Sequence, residues 1–279
     1  MTTITSGLDR AAVTAVQGEV DAYSVAMVDP QKKRDRKLNW WIFAGRVGVL
    51  VVLLAAWQIA GIFVDPLVIS SPVAVFQAFI TYAQTGLGPD LLTTMQEVVI
   101  GYVIGAVGGI LLGVLLASNR WIAGVLDPFI VGIYGVPKIA FGPLLVVWLG
   151  INLAPKVALA ALMVFFLVFF SSYEGIRNVD KDKINAVRLM GASPFQLRRY
   201  VIFPGARGSI FLGLKLGVPE ALVGAIVGEF ISSSQGVGFH ILSATAQLDT
   251  AGVFSGLIIL TVLSLVLNAL VKIGSRNKA

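Results

Sequence analysis

From Trp40 to Val271 the chain is a succession of apolar runs, most of them about twenty residues long, divided by short breaks and by one long polar stretch. A helix needs roughly 20 consecutive apolar residues to cross a hydrocarbon core. Inside that core every backbone N–H and C=O must be paired within the protein. Together these constraints point to an all-α polytopic membrane protein. Composition agrees, with 57% hydrophobic residues, 13% charged and a mean hydropathy of +0.87, against about a quarter charged in an ordinary soluble domain.

Six spans are expected, over residues 41–63, 93–117, 121–151, 155–172, 209–231 and 251–271. Residues 1–39 carry no signal-peptide pattern and read as a cytoplasmic tail. Its cluster Lys32, Lys33, Arg34, Arg36 and Lys37, followed by Trp40 and Trp41, suits an anionic inner leaflet and an interfacial aromatic belt rather than nucleic acid. Arg46 snorkels from the first span. The apolar segment 72–84 is too short to cross, and Ser71 and Pro72 mark its start, so an outer interfacial helix is expected there. Residues 40–272 thus form the membrane domain and residues 273–279 a second cytoplasmic tail.

Within the spans, small and charged residues mark the places of interest. Gly101, Gly105, Gly109 and Gly113 recur every four residues and make a flat strip for close helix packing. Residues 121–151 would extend about 45 Å as a straight helix, too long for one span, so a break is expected near Pro137. Lys138 at the break is either an anion-attracting group or a lysine reaching for a helix end. In the fifth span Gly213, Gly217, Glu220, Gly224 and Gly228 share one face. Glu220 is either an acid lining a path or a hydrogen-bonded structural group, because an ionisable residue inside a membrane helix is functional by default. Gly217, Gly224, Glu220, Pro137 and Lys138 are therefore the candidates for a translocation path. Glu229 is expected on the opposite face at the outer interface, and His240 on the surface of a glycine-rich outer loop at 232–241.

Orientation follows from the cations. With the N-terminus inside, 17 of the 21 Lys and Arg residues fall on the cytoplasmic side, and the outer loops hold at most Lys156. The positive-inside rule favours that arrangement. The sequence has no cysteine and one histidine, His240, which excludes thiolate chemistry and multi-histidine metal sites.

The polar stretch 174–207 carries seven of those cations and is where the chain meets a soluble partner. Its residues 180–190 suit a helix with a narrow apolar stripe of Ile184, Val187 and Leu189 or Met190. Gly191 ends that helix, and Ser193 and Pro194 start another as N-cap and first helical residue. Two short helices joined by a glycine turn make a knob that fits a groove on a partner.

The order Asn185-Ala186-Val187, then Gly191-Ala192-Ser193, then Val201-Ile202-Phe203-Pro204 resembles the EAA loop of permeases of ABC importers. Ala186, Gly191 and Pro204 match that pattern outright, Val187, Val201 and Phe203 are apolar replacements, and Asn185 stands where the family prefers Glu. The segments 126–151 and 213–230, and the Ser-Ser-Pro ending at Pro72, look like the nitrate, sulfonate and taurine type. The resemblance implies a type I importer fold with six transmembrane helices, located in a prokaryotic plasma membrane. It also implies a second permease copy, two cytoplasmic ATPase subunits that bind ATP and Mg, and an external substrate-binding protein. The coupling element would comprise Ile184, Asn185, Ala186, Val187, Met190, Gly191, Ala192, Ser193, Pro194, Phe195 and Pro204. The chain has no G-x-x-x-x-G-K-[ST] motif, so it is expected to need no cofactor and to catalyse nothing itself. The implied cargo is a small anion of the nitrate, sulfonate or taurine class, or alternatively a vitamin-like heterocycle such as a thiamine precursor or riboflavin. A secondary transporter, the rival class, calls for coupling-ion carboxylates and inverted repeats. Glu220 is the one intramembrane acid singled out for such a role, and no repeat is evident.

Overall fold

The computed structural model describes residues 17, 40–65, 67–118 and 120–276; the basic cluster at 32–37, nearly all of the N-terminal tail and residues 277–279 lie outside them. Contacts divide the chain at Phe63 into two units. The first contains helix α1, Trp40–Phe63, which at 1.5 Å per residue extends about 36 Å, enough to cross a bilayer.

The second unit begins with α2 (Pro72–Thr85), too short to cross, with Ser71 Oγ accepting from the Ala74 N–H as N-cap. α3 (Leu87–Ala117) follows directly. The apolar run after it is α4 (Arg120–Tyr134), a single 3-10 turn at Lys138–Phe141 and α5 (Gly142–Leu149). The two arms of this run meet at 77°. Pro137 lies at the break and is extended, with ψ of 100°. A proline there has no N–H for the Ile133 carbonyl, which accepts from the Val136 N–H at 3.2 Å instead, and it disfavours helix in the residue before it. α6 (Leu153–Arg177) is capped by Asn152, and three residues separate its end from α7 (Lys181–Leu189). α8 (Pro194–Leu197), a π turn at Arg198–Ile202 and α9 (Phe203–Ser232) form one continuous helical run. α10 (Val237–Ala246) and α11 (Thr250–Arg276) complete the chain. Among the described residues five helices are long and apolar enough to cross a membrane, and the bent pair around Pro137 supplies a sixth candidate span.

Helix α6 is the axis of this unit, packed between α3 and α9. A Cβ on Gly101 would stand 2.6 Å from the Ala160 Cβ, one on Gly109 2.8 Å from the Phe165 carbonyl oxygen, and one on Gly113 2.8 Å from the Phe169 carbonyl oxygen. The strip therefore lets the α3 and α6 backbones touch. On the other side Gly224 lies against the Ala160 Cα and Gly228 against the Lys156 Cα. Val98, Ala106, Val164, Val168, Ala221, Ala225 and Leu263 fill the core between α3, α6, α9 and α11. Tyr82, Val237 and Ile259 tie α2, α10 and α11 together at one end. Ile176, Val179 and Ala206 do so where α6 and α9 meet the polar stretch.

Candidate functional site

The polar stretch folds as a knob. Asp180 caps α7 by accepting from the Asp182 N–H at 2.9 Å. The helix stops because Gly191 turns to φ +82°, a left-handed conformation that costs an L side chain about 1 kcal/mol or more and costs glycine nothing. Its N–H donates to the Arg188 carbonyl at 3.0 Å, closing the turn. Ser193 then starts α8 with a complete capping box, its Oγ accepting from Gln196 N–H while Gln196 Oε1 accepts from Ser193 N–H. Pro194 occupies the first helical turn.

One side of α7 is anchored and the other is free. Ile184 packs on Ile176, Val179 and Ala206, and Val187 is half-buried. Asn185 and Ala186 are exposed, and Ala192 is half-buried. At the tip Leu189 is 88%, Met190 85% and Phe195 69% exposed. Three large apolar side chains are thus held out of a charged segment. Asn185 makes no charged contact of the kind Glu could make at that position.

The second helix of the knob is the head of a long rod rather than the separate short helix expected. Pro204 has no N–H for the Tyr200 carbonyl, and the chain compensates with a wider turn in which the Phe203 N–H reaches back to the Arg198 carbonyl. The helix is not broken, and Pro194–Ser232 runs for 39 residues.

At the opposite end of α3, α6 and α9 lies a buried polar network. Lys156 Nζ sits 2.6 Å from Glu97 Oε1 and donates to Ser233 Oγ at 3.1 Å. Glu229 accepts from Thr94 Oγ1 at 2.6 Å and from the Gly238 N–H at 2.5 Å. Thr94 in turn accepts from the Val237 N–H at 3.0 Å, and Asp90 accepts from Tyr82 Oη at 2.7 Å and the Gly236 N–H at 2.8 Å. Glu97, Glu229 and Thr94 are fully buried. Burial and the bond to Asp90 push the Tyr82 hydroxyl up, so it stays a donor. His240 stacks on Tyr82 with centroids 3.5 Å apart and planes 6° from parallel, and burial pulls its imidazole down, opposed by Asp90 and Asp249.

Several expectations are corrected here. Glu229 is not at an interface: it caps the start of α10, whose leading N–H groups need an acceptor. Gly236, at φ +114°, allows this, since a Cβ there would collide with the Glu229 carboxylate. His240 is not in a loop: residues 237–246 are helical, and its half-buried ring stacks on Tyr82. Lys156 is not in an outer loop but inside the first turn of α6. Glu97, overlooked in the sequence, is a second buried membrane acid beside Glu229. The signal available for it was its charge inside the expected span 93–117, where an ionisable residue is functional by default.

Of the path candidates, Gly217 and Gly224 face α6, where a Cβ on Gly224 would stand 2.6 Å from the Ala160 Cα; that seam has no room for a solute. Glu220 is half-buried one helical turn from Gly217. Lys138 donates to the Tyr134 carbonyl at 3.4 Å and lies 4.6 Å from the Tyr134 ring centroid, satisfying the end of α4 beside the break at Pro137. Among the described residues no group of three His, Asp or Glu could hold a metal ion.

The same architecture occurs in known proteins. A crystal structure of an amino acid ABC transporter with histidines superposes with a TM-score of 0.54 at 20% identity, covering 72% of this chain and 98% of that one. In sequence, a putative aliphatic sulfonates transport permease protein of Bacillus subtilis is 31% identical over 88% of this chain and 90% of its own length. A formylaminopyrimidine transport permease protein of Halalkalibacterium halodurans is 29% identical over 80% of this chain and 89% of its own. The family described as binding-protein-dependent transport system inner membrane component matches residues 109–278, and the chain belongs to it as a membrane-embedded permease subunit of an ABC importer.

Proposed function

We propose that the chain works as one of a pair of identical permease subunits, with two cytoplasmic ATPase subunits below and a substrate-binding protein outside. The observation that carries this reading is the knob: an apolar tip of Leu189, Met190 and Phe195 on a turn fixed by Gly191, joined without a flexible loop to α9. The ATPases bind ATP and Mg and perform the hydrolysis. Their closure brings two knobs together, and each rod carries that movement across the bilayer to the end where Glu229, Thr94 and Lys156 tie α3, α6, α9 and α10. The distribution of cations supports an N-terminus and knob in the cytoplasm of a prokaryotic cell. The Pro137 break with Lys138, and Glu220, are the remaining candidates for groups facing the solute.

The proposed cargo is a small sulfonate-type anion, supported by the sulfonate permease among the relatives. A vitamin-like heterocycle is the second reading, since the formylaminopyrimidine permease is similar to nearly the same degree. Co-purification with the cognate ATPase tests the assembly. A side chain at Gly191 meets open space within the chain, so Gly191→Arg leaves the membrane helices intact while distorting the turn and blocking a groove. The ATPase is expected to co-purify with the wild type and not with this variant; equal recovery would remove the knob from the interface. Uptake into proteoliposomes bearing the ATPase and binding protein, with an alkanesulfonate and a formylaminopyrimidine in competition, separates the two cargoes.

A further inference from the structure

Behind the knob, on the side away from its apolar tip, is a cavity of about 630 Å³, within the range of small-molecule sites. Its lining includes Arg177 from α6, Lys181 and Arg188 from α7, and Arg198 from the π turn, and none of the described residues that line it is acidic. Glu174, Asp180 and Asp182 line a separate adjoining groove, which shares Arg177 and Lys181. The remaining walls are mostly apolar, among them Ile176 and Phe203. Arg177 is held in place by donating to Tyr173 Oη at 2.8 Å and stacking on that ring.

Lys181, Arg188 and Arg198 carry like charge on one concavity beside Arg177, and an oxyanion among them is attracted to all of them and braces α7 against α6 and the π turn. Guanidinium groups match the oxygens of phosphate-type anions in geometry as well as charge. Apolar walls next to the cations suit an oxyanion attached to a hydrocarbon body. We propose that this cavity binds a phosphate-type oxyanion, supplied by an inner-leaflet phospholipid headgroup or by a free anion, and that its occupancy sets the stiffness of the knob. The lipid source rests on the cytoplasmic orientation proposed above, whereas the site itself does not.

The test is thermal melting of the purified full chain in detergent at constant ionic strength. One arm titrates sodium phosphate; the other titrates dihexanoyl phosphatidylglycerol, with dihexanoyl phosphatidylcholine as control. A saturable rise in melting temperature is expected in at least one arm. The double substitution Arg188→Gln with Arg198→Gln is expected to weaken it by about tenfold or more in apparent Kd, while Lys215→Gln, which removes one positive charge on α9, leaves it unaltered. A rise with phosphate assigns a free oxyanion, and a rise with phosphatidylglycerol alone assigns a headgroup. No saturable rise in either arm, equal rises in wild type and double variant, or equal losses in the double and Lys215 variants would overturn the site. If the double variant does not fold, Arg198→Gln alone carries the same comparison. Because the titration is done in detergent, a negative result leaves the orientation and the ATPase contact standing.

Discussion

Lys156 shows how much can depend on one charge in this chain. Its ammonium is the counter-ion of Glu97, which is fully buried, and a buried carboxylate left alone is far costlier than the pair. Lys156→Met is therefore expected to destabilise the protein by about 3–5 kcal/mol. Adding Glu97→Leu should recover most of that loss, and a double-mutant cycle by thermal melting in detergent measures the coupling. Independent, additive losses would show that the pair is not an energetic unit. His240 gives a pH dependence of known sign. Burial lowers its pKa below the ordinary 6.5, so below that value the unfolded chain binds more protons than the folded one. The stability of wild type relative to His240→Phe is thus present above about pH 6.5 and falls as the solution is acidified through it. Melting both proteins at pH 5.5 and 7.5 checks this, and a difference independent of pH would contradict it. Neither residue was legible in the sequence as what it is. Lys156 lies next to a span boundary and His240 in a glycine-rich stretch, and only long-range contacts with Glu97 and Tyr82 reveal their surroundings.

At the scale of helices, the four-residue glycine spacing on α3 could be read directly as a strip for close helix approach. Gly105 is the tightest point of that seam: a Cβ there would collide with the Ala161 carbonyl oxygen and stand 2.8 Å from the Val164 Cβ. Gly105→Ala is expected to cost about 1–3 kcal/mol by forcing two backbones apart. At Gly108 the nearest atom to an added Cβ is on the Phe165 ring, 3.4 Å away, so Gly108→Ala should be close to neutral. Melting the two variants side by side tests the seam, and equal effects would place it elsewhere. The break at Pro137 and the turn at Gly191 were equally legible, since each depends on local backbone chemistry. The wheel that grouped Gly213, Gly217, Gly224 and Gly228 identified their shared face but could not say what lay opposite, and those glycines meet α6. The same glycine pattern serves a helix seam or a solute path, and α6 decides it. The π turn was not legible, because the effect of Pro204 depends on α8 being continuous with α9.

Across the whole molecule, the knob at one end and the buried network at the other are joined by α6 and by the run from Pro194 to Ser232, all within a core of small residues. A packed core of this kind moves between discrete arrangements rather than bending smoothly, so under the proposed function a displacement imposed by the ATPases at Gly191 would arrive at Glu229 with little loss. That argument requires the rod to be stiff where the knob joins it. Inserting two glycines between Tyr200 and Val201, inside the π turn, leaves the α7–α8 turn, the capping box and the exposed tip unchanged, and adds rotational freedom where none exists. The ATPase is then expected to co-purify as with wild type. Uptake driven by ATP and stimulated by the binding protein should fall by about tenfold or more, the order of loss expected when an energetic coupling of 1–3 kcal/mol between two sites is removed. Retained binding with lost uptake would identify the rod as the transmitting element. Uptake at the wild-type rate would assign transmission to α6, which reaches the knob through Arg177 and the three residues before α7.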